Sequence, residues 1–305
     1  MNKKELISIV MNCYNGELYL NNALESIINQ TYKEWELIFW DNKSSDNSKK
    51  IFDKFKDSRF KYYEAKIFTN LPAARNQAIA KCQGQYIAFL DVDDWWEDNK
   101  LEKQILLFSN KEVSLVYGNF MVNNFKDKSA IYGYPPKKIY PKSKNIMYDF
   151  SLPRGNIKKK LLEMYSVGIM TLIIRKNVID EIKYFFNEKL DHLNDFELVL
   201  RIAAKYKVDC CDYVVAHKRL HTNNNFNKDK KSIINQNKII LNEFTNYKNL
   251  FTYEDLEIFK QKIYFEEMLH NLRTINIINF INRFFKLNKS YKLFFFKVIY
   301  IKLFK

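Results

Sequence analysis

Glycine and proline are scarce, six and five in 305 residues. The segment after the first expected strand, NCYNGELYL, carries no glycine-rich loop of the kind that cradles phosphates. Cysteine is scarce too. Cys13, Cys82, Cys210 and Cys211 fit neither zinc-ligand spacing nor a disulfide framework, so a reduced chain with buried thiols is expected. No stretch reaches ~18 apolar residues free of charge, which excludes a transmembrane helix. The opening MNKKELISIVMNCYNG has a short apolar run but no signal-peptide cleavage site. No internal repeat and no recognised nucleic-acid-binding motif occurs. Acidic residues stop altogether after Glu267.

What is present is positive charge and apolar mass. Net charge is +15 and 47% of residues are hydrophobic. The length suits one large domain, or one domain with an appendage. The charge calls for a negatively charged partner: nucleic acid, an anionic membrane surface or phosphorylated ligands.

To about residue 120, two kinds of segment alternate. ELISIVMN, EWELIFW, RFKYYEA, QYIAFLD and EVSLVYGN are short, apolar and rich in β-branched or aromatic residues. LYLNNALESIINQ, NSKKIFDKFKD, PAARNQAIAKCQ and NKLEKQILLFSN lie between them and are amphipathic. Strands alternating with helices predict an α/β fold, a mostly parallel sheet covered on both faces, with ligands beyond the carboxyl ends of the strands. Residues 120–165 read as a polar, loop-rich insert around YGYPPKKIYP. SVGIMTLIIRK is expected to be a strand. NDFELVLRIAAKY is expected to be a helix with Phe196, Val199, Leu200 and Ala203 on one face, and VDCCDYVVAHKRL the strand after it. The expected boundary falls at residue 222, with a helical region over 223–305. There, from Arg273 onward, eight basic residues interleave with phenylalanines. Such a tail suits an amphipathic helix in a membrane interface, or a helix packed on the rest of the protein.

QYIAFL ends in Asp91, Asp93 and Asp94. Three close carboxylates repel one another unless a cation sits among them. A divalent ion with bound phosphates suits this, since hard cations take oxygen ligands. A solvated acidic turn or a helix N-cap is the plainer alternative.

Five motifs, in order, carry a resemblance. They are ISIVMNCYNGELYLNNALESIINQTY, ELIFWDNKSSDNS, the Ala74-Arg75-Asn76 of LPAARNQAIAKCQGQYIAFLDVDD, the Asp91-Val92-Asp93 followed by WWEDNKLEKQ, and NDFELVLRIA. Over residues 5–222 the chain resembles the family-2 inverting glycosyltransferases, which have the GT-A fold: a Rossmann-like sheet flanked by helices. It departs from their pattern at Asn12, where proline is usual in the first motif and which Cys13 follows, at Asn42 and Lys43 in the second, and at Asn194 in the late acidic pair.

The resemblance implies a metal-dependent transferase of the bacterial surface-glycan type. It would move a sugar from a nucleotide-diphosphate donor, UDP-linked, to a hydroxyl of a lipid-linked, lipopolysaccharide or capsule glycan. It would work in the cytoplasm, peripheral on the inner face of the membrane, with the C-terminal region on anionic lipid. Asp93 would bind Mn²⁺ or Mg²⁺ directly, Asp91 the ribose or a metal-bound water, and Asp94 would stand behind them or cap the next helix. His221 would reach the diphosphate or the metal. Asp195 would be the general base, kept ionised by its helix terminus; Glu197, two residues on, should point elsewhere. Asp41 and Asn42, with the backbone near Cys13, would meet the nucleobase. Tyr14 and Asn15 would close that end, and Arg75 would touch phosphate or base unless it is a solvated helix residue. His192 is a lesser candidate for the acceptor. The rival readings are a nucleotidyltransferase on a similar sheet and a non-catalytic sugar-nucleotide or membrane-binding protein.

Overall fold

A computed structural model describes residues 5–124, 151–182, 184–221, 230–247 and 249–304. The expected insert segment YGYPPKKIYP lies outside the described residues. The chain forms two compact units: one comprises residues 1–158 and 164–224, the other 159–163 and 225–305.

The first unit is built on an eight-stranded sheet. Its strands are β1 (Ile7–Cys13), β2 (Trp35–Asp41), β3 (Phe60–Glu64), β4 (Tyr86–Phe89), β5 (Trp95–Trp96), β6 (Val113–Asn124), β7 (Ile173–Arg175) and β8 (Lys207–Leu220). They lie in the order β3-β2-β1-β4-β7-β6-β8-β5. The half from β3 to β4 is parallel, with Ile7 opposite Trp35 and Tyr86. β7 runs antiparallel to both neighbours, β6 and β8 are parallel, and β5 closes the far edge antiparallel to β8. Every residue of β1, β2 and β4 is buried, because helices cover both faces of a central parallel strand.

The helices of this unit follow from local chemistry. In α1 (Leu20–Ile28), Leu20, Ala23, Leu24 and Ile27 form the i, i+3, i+4, i+7 stripe of a half-buried helix. A five-residue α2 (Ser48–Phe52) follows β2. α3 (Leu71–Ile79) starts at Asn70, whose side chain accepts from the Ala73 N–H, with Pro72 in the first turn. Beyond β5 lies α4 (Lys100–Ile105). The short α5 (Lys158–Glu163) falls, but for its first residue, in the second unit; α6 (Val178–Glu181) and α7 (Asn194–Lys205) belong to the first. In α7 the expected face of Phe196, Val199, Leu200 and Ala203 is buried.

SVGIMTLIIRK departs from the single strand expected of it. Thr171 donates from both its N–H and its hydroxyl to the Gly168 carbonyl, at 2.9 and 2.7 Å. These local bonds compete with the sheet ladder and wind Ile169–Thr171 into a 3₁₀ turn, leaving three residues for β7.

The sheet also buries charge. Glu36 lies beside Ser8, whose hydroxyl donates to it at 2.5 Å, and accepts from Lys61 at 2.6 Å and from the Gln83 N–H at 2.7 Å. Burial pushes this carboxyl up, but the donors together outweigh it and hold the group below its ordinary value.

The second unit holds α8 (Lys230–Thr245), α9 (Tyr253–Arg273), α10 (Ile277–Lys286) and α11 (Lys289–Phe304). A capping box of Thr252 and Asp255 starts α9. Phe265, Met268, Leu287 and Phe295 form a core, with Phe280, Phe284 and Tyr291 packed against it. Phe244 stacks on Phe251 with centroids 4.0 Å apart.

One buried group costs the first unit stability. Lys100 is fully buried, and its Nζ has no hydrogen-bond partner among the described residues. The ammonium lies 4.3 Å from the centre of the Trp96 ring. Burial pushes its pKa down to about 7, from 10.5. The cost is therefore largest below pH 7 and absent above the unfolded value. Lys100→Met should stabilise the fold by about 2–4 kcal/mol at pH 6 and by almost nothing near pH 10.5. Urea unfolding at the two pH values measures the difference; equal gains would show that the amine carries no titration cost.

Candidate active site

The site lies at the carboxyl ends of β1, β2 and β4, where such a sheet leaves a crevice. Leaving β4, the chain places Asp91, Asp93 and Asp94 so that one oxygen of each falls within 4.8 Å of the others. Burial raises the carboxyl pKa of Asp93, and the neighbouring Asp91 charge adds to the rise. Burial and Asp93 likewise hold Asp94 above the ordinary range. Burial is the larger cause in both, and repulsion between neighbouring carboxylates acts in the same direction. An all-carboxylate, oxygen-only donor set of this size fits a hard divalent cation.

Each aspartate has its own counterpart. His221 Nε2 lies 2.9 Å from Asp93 Oδ2. The Arg219 N–H donates to Asp94 Oδ1 at 2.9 Å, and Arg219 Nε donates to the Asp93 carbonyl at 3.1 Å. Asp94 therefore ties the aspartate loop to β8. Asp91 accepts from Arg75 Nη2 at 2.8 Å, and Arg75 Nη1 donates to Asn194 Oδ1 at 2.9 Å. Arg75 is buried rather than solvated. It links the acidic loop to the first residue of α7.

Asp195 follows in the first turn of α7, half-buried, its Oδ1 accepting from the Phe196 N–H at 2.8 Å. The helix terminus does not decide its charge. Burial pushes its carboxyl up, the Arg75 charge pulls against this, and Asp91 adds to the rise. The net direction is upward, so Asp195 is a stronger base than an ordinary surface aspartate. It lies within electrostatic reach of both Arg75 and Asp91. Glu197 points away into a buried pair with Arg201, with Nε to Oε1 at 2.5 Å. His192 is half-buried in the turn before α7.

At the other end of the crevice, Asp41 is buried at the end of β2. Its two oxygens accept from the Ser44 N–H at 2.8 Å and the Tyr62 hydroxyl at 2.5 Å. Asn42 uses both ends of its amide on one residue: Nδ2 donates to the Thr69 carbonyl at 2.7 Å, and Oδ1 accepts from the Thr69 N–H at 3.2 Å. The side chain thus fixes the loop before α3. That loop carries Phe68, whose ring centre lies 4.7 Å from that of Tyr14; both rings are more than half exposed. Cys13 is buried, its Sγ 3.7 Å from Ser44 Oγ. Asn15 adopts φ +53° and its Oδ1 accepts from the Ser45 N–H at 2.8 Å. Gly16 leaves little room for a side chain: a Cβ there would lie 3.0 Å from the Val92 side chain and 3.1 Å from Cys13 Sγ. The loop after β1 therefore packs directly on the Asp91-Val92-Asp93 segment.

Phe68 and Arg219 carried no motif signal, and Tyr19 lies inside the first motif without a role assigned to it. The Arg219 guanidinium lies between the rings of Tyr19 and Trp95, at 4.9 and 4.7 Å, and the Tyr19 ring is 5.0 Å from that of His221. The closeness of Arg219 to His221, two residues apart at the end of the expected strand, was the available clue. Nothing local marks Phe68, which is an exposed aromatic in a loop.

A curled α/β sheet with an acidic loop after its fourth strand is the architecture of the GT-A glycosyltransferases. The family model described as Glycosyl transferase family 2 matches residues 8–180, and the chain belongs to that family. The chain is 32% identical over 187 residues to the Escherichia coli UDP-Glc:alpha-D-GlcNAc-diphosphoundecaprenol beta-1,3-glucosyltransferase WfgD, covering 61% of this chain and 67% of that one. Among solved structures it is similar to S. aureus TarS 1-349 in complex with UDP-GlcNAc, with TM-score 0.63 and 14% identity over 91% of this chain and 89% of the other. It is also similar to the mannosyltransferase PcManGT from Pyrobaculum calidifontis in complex with GDP-Man and Mn²⁺, with TM-score 0.61 and 11% identity over 100% and 82%. The chain is thus a glycosyltransferase of the bacterial surface-glycan type.

Two substitutions test the loops. Asn42→Asp replaces a donor with a carboxylate facing the Thr69 carbonyl, and should cost about 1–3 kcal/mol in urea unfolding. No loss would mean that the Thr69 pairing does not hold the loop. Lys43, where the family has glycine, sits at φ +70°. Its exposed pair with Glu64 contributes little. Lys43→Gly should therefore stabilise by about 0.5–1 kcal/mol, read as a higher Tm; a lower Tm would make the ion pair the stronger term.

Proposed function

We propose that the protein is a divalent-metal-dependent, inverting transferase that moves a sugar from a UDP-linked donor to a hydroxyl of a lipid-linked, lipopolysaccharide or capsule glycan. The observation that carries this reading is the joint placement of three mutually repelling aspartates and, through Arg75 and Asn194, the basic carboxylate of Asp195. The domain responsible is residues 1–222, followed by the helical region 223–305. Names of similar proteins support the donor and the acceptor: WfgD is named for UDP-Glc and a diphosphoundecaprenol acceptor, and the TarS complex holds UDP-GlcNAc. A lipid-linked acceptor suits an enzyme at the inner face of the cytoplasmic membrane.

Asp93 and Asp91 would hold Mn²⁺ or Mg²⁺, with His221 beside Asp93. When bound, the ion acts as a Lewis acid that neutralises charge on the diphosphate leaving group. Asp195 takes the proton from the acceptor hydroxyl as its oxygen attacks the anomeric carbon. The bond to the diphosphate breaks on the opposite face of the sugar, so configuration inverts. Arg75 positions both carboxylates, holding Asp91 directly and the start of α7 through Asn194. Asp41 and the backbone near Cys13 form the floor of the nucleobase pocket. Asn42 serves that pocket by holding Thr69. Tyr14 and Phe68 give it an aromatic wall against which a base can stack, and Asn15 fixes the turn beside them.

A screen of UDP-sugars with Mn²⁺ and Mg²⁺, using lipid-diphosphate-linked acceptors, tests the activity. Asp195→Asn should lower the rate about 10²–10⁴-fold while donor binding, followed by thermal shift with UDP-sugar, stays intact. Because burial raises the Asp195 pKa, the base form is lost as pH falls. The acid limb of kcat/KM should therefore lie above the ordinary aspartate value of 3.8 and vanish in Asp195→Asn. Unchanged transfer by the variant removes Asp195 from the mechanism.

A further inference from the structure

Helix α10 has three faces. Phe280 and Phe284 pack on the core formed by Phe265, Met268, Leu287 and Phe295. Arg283 turns to Glu267, its Nε 2.6 Å from the carboxylate. The remaining face is apolar and open: Ile277, Ile278, Ile281 and Phe285 are 61, 75, 44 and 72% exposed. At ~100° per residue these four fall within one sector of about 100°.

The turn leading into α10 adds an independent sign. Ile275 has φ +59° and is 80% exposed. A β-branched residue in the left-handed region is rare, because its Cβ crowds the following carbonyl. Glycine or asparagine would form the same turn without that strain. The fold thus accepts a strained backbone and presents an isoleucine to the outside at the tip of the α9–α10 hairpin, adjoining the open face.

We infer that this tip and face insert into the interfacial layer of an anionic lipid bilayer. Charge selects the occupant. Arg273, Lys286 and Lys289, just before, at the end of and just after α10, are exposed, and no acidic residue follows Glu267 in the sequence. A second copy of the chain would bring two cationic rims together and be repelled. Nucleic acid would match the charge but would give the isoleucines no apolar phase. A bilayer with anionic headgroups supplies both. The helix lies along the interface: ten residues span about 15 Å against a hydrocarbon core of ~30 Å, and no described helix is long and apolar enough to cross a membrane. The inference rests on the proposed lipid-linked acceptor for its purpose, while lipid binding itself can be measured without any transfer reaction.

The test uses the full chain in co-sedimentation with vesicles of phosphatidylcholine alone and of phosphatidylcholine with phosphatidylglycerol. Wild type should bind the anionic vesicles at least about tenfold more tightly than the neutral ones. The double variant Ile278→Ser/Phe285→Ser should lose about tenfold in that binding with its Tm unchanged. Ile275→Gly should bind about two- to fourfold more weakly yet melt at a higher temperature, a pairing of effects that a merely structural isoleucine would not give. Hydrolysis of UDP-sugar in lipid-free solution is read alongside. Lost vesicle binding with normal hydrolysis places the defect on this face, and vesicle binding without donor turnover would sink the transferase reading alone. Equal binding of wild type and double variant overturns the inference. So does a lipid-free dimer in sedimentation velocity that the double variant dissociates, since it would make the face a copy-to-copy interface.

Discussion

The arrangement depends on electrostatic repulsion held in check. Three carboxylates converge where β4 ends, and burial makes the charges of Asp93 and Asp94 costlier than they would be in water. The protein answers with groups delivered from elsewhere in the chain: Arg75 from α3, Arg219 from β8 and His221 just beyond that strand. None of these is a sequence neighbour of the aspartates. The acidic loop therefore depends on the sheet being complete, because β8 reaches it from across the fold. Arg75 matters most, since one guanidinium serves both the acidic loop and the helix that carries Asp195.

Much of this was legible in the chain. Continuous apolar runs such as ISIVMNC announce buried parallel strands, and the position of Asp91 to Asp94 after such a run places them at the crevice. The departures from the family pattern are where reading stopped. Asn42 looked like a group for the nucleobase, having a donor and an acceptor. In the fold both are used on the Thr69 backbone, a pairing of residues 27 positions apart that no local pattern encodes. Lys43 keeps the left-handed backbone of the glycine it replaces, so the turn survives the loss of its usual residue.

The same limit explains Arg75 and SVGIMTLIIRK. An arginine on a short helix looks solvent-facing until the partners that bury it are known, and those lie at Asp91 and Asn194. In the apolar segment, hydrophobicity favours a strand. Hydrogen bonds from Thr171 to Gly168 decide instead for a turn, because they form within four residues and need no partner strand. For Asp195, position at a helix terminus and burial act in opposite directions, and only the packed structure reveals that burial prevails.

The sheet has a seam. Its parallel half meets its mixed half only where Tyr86–Ala88 faces Ile173–Arg175, and the stretch shared with the family ends at residue 180, just past that junction. The matched stretch thus holds the parallel half with Cys13, Asp41 and Asp91, the junction itself, and β6 of the mixed half. Besides that pairing, the downstream part is held to the first half by β5 on β8, by Arg75 on Asn194 and by Asn76 on the Phe186 carbonyl. The crevice draws Asp91 and Asp93 from one side of the seam and Asn194, Asp195 and His221 from the other, so a shift at that short junction would move the two sets of groups against each other.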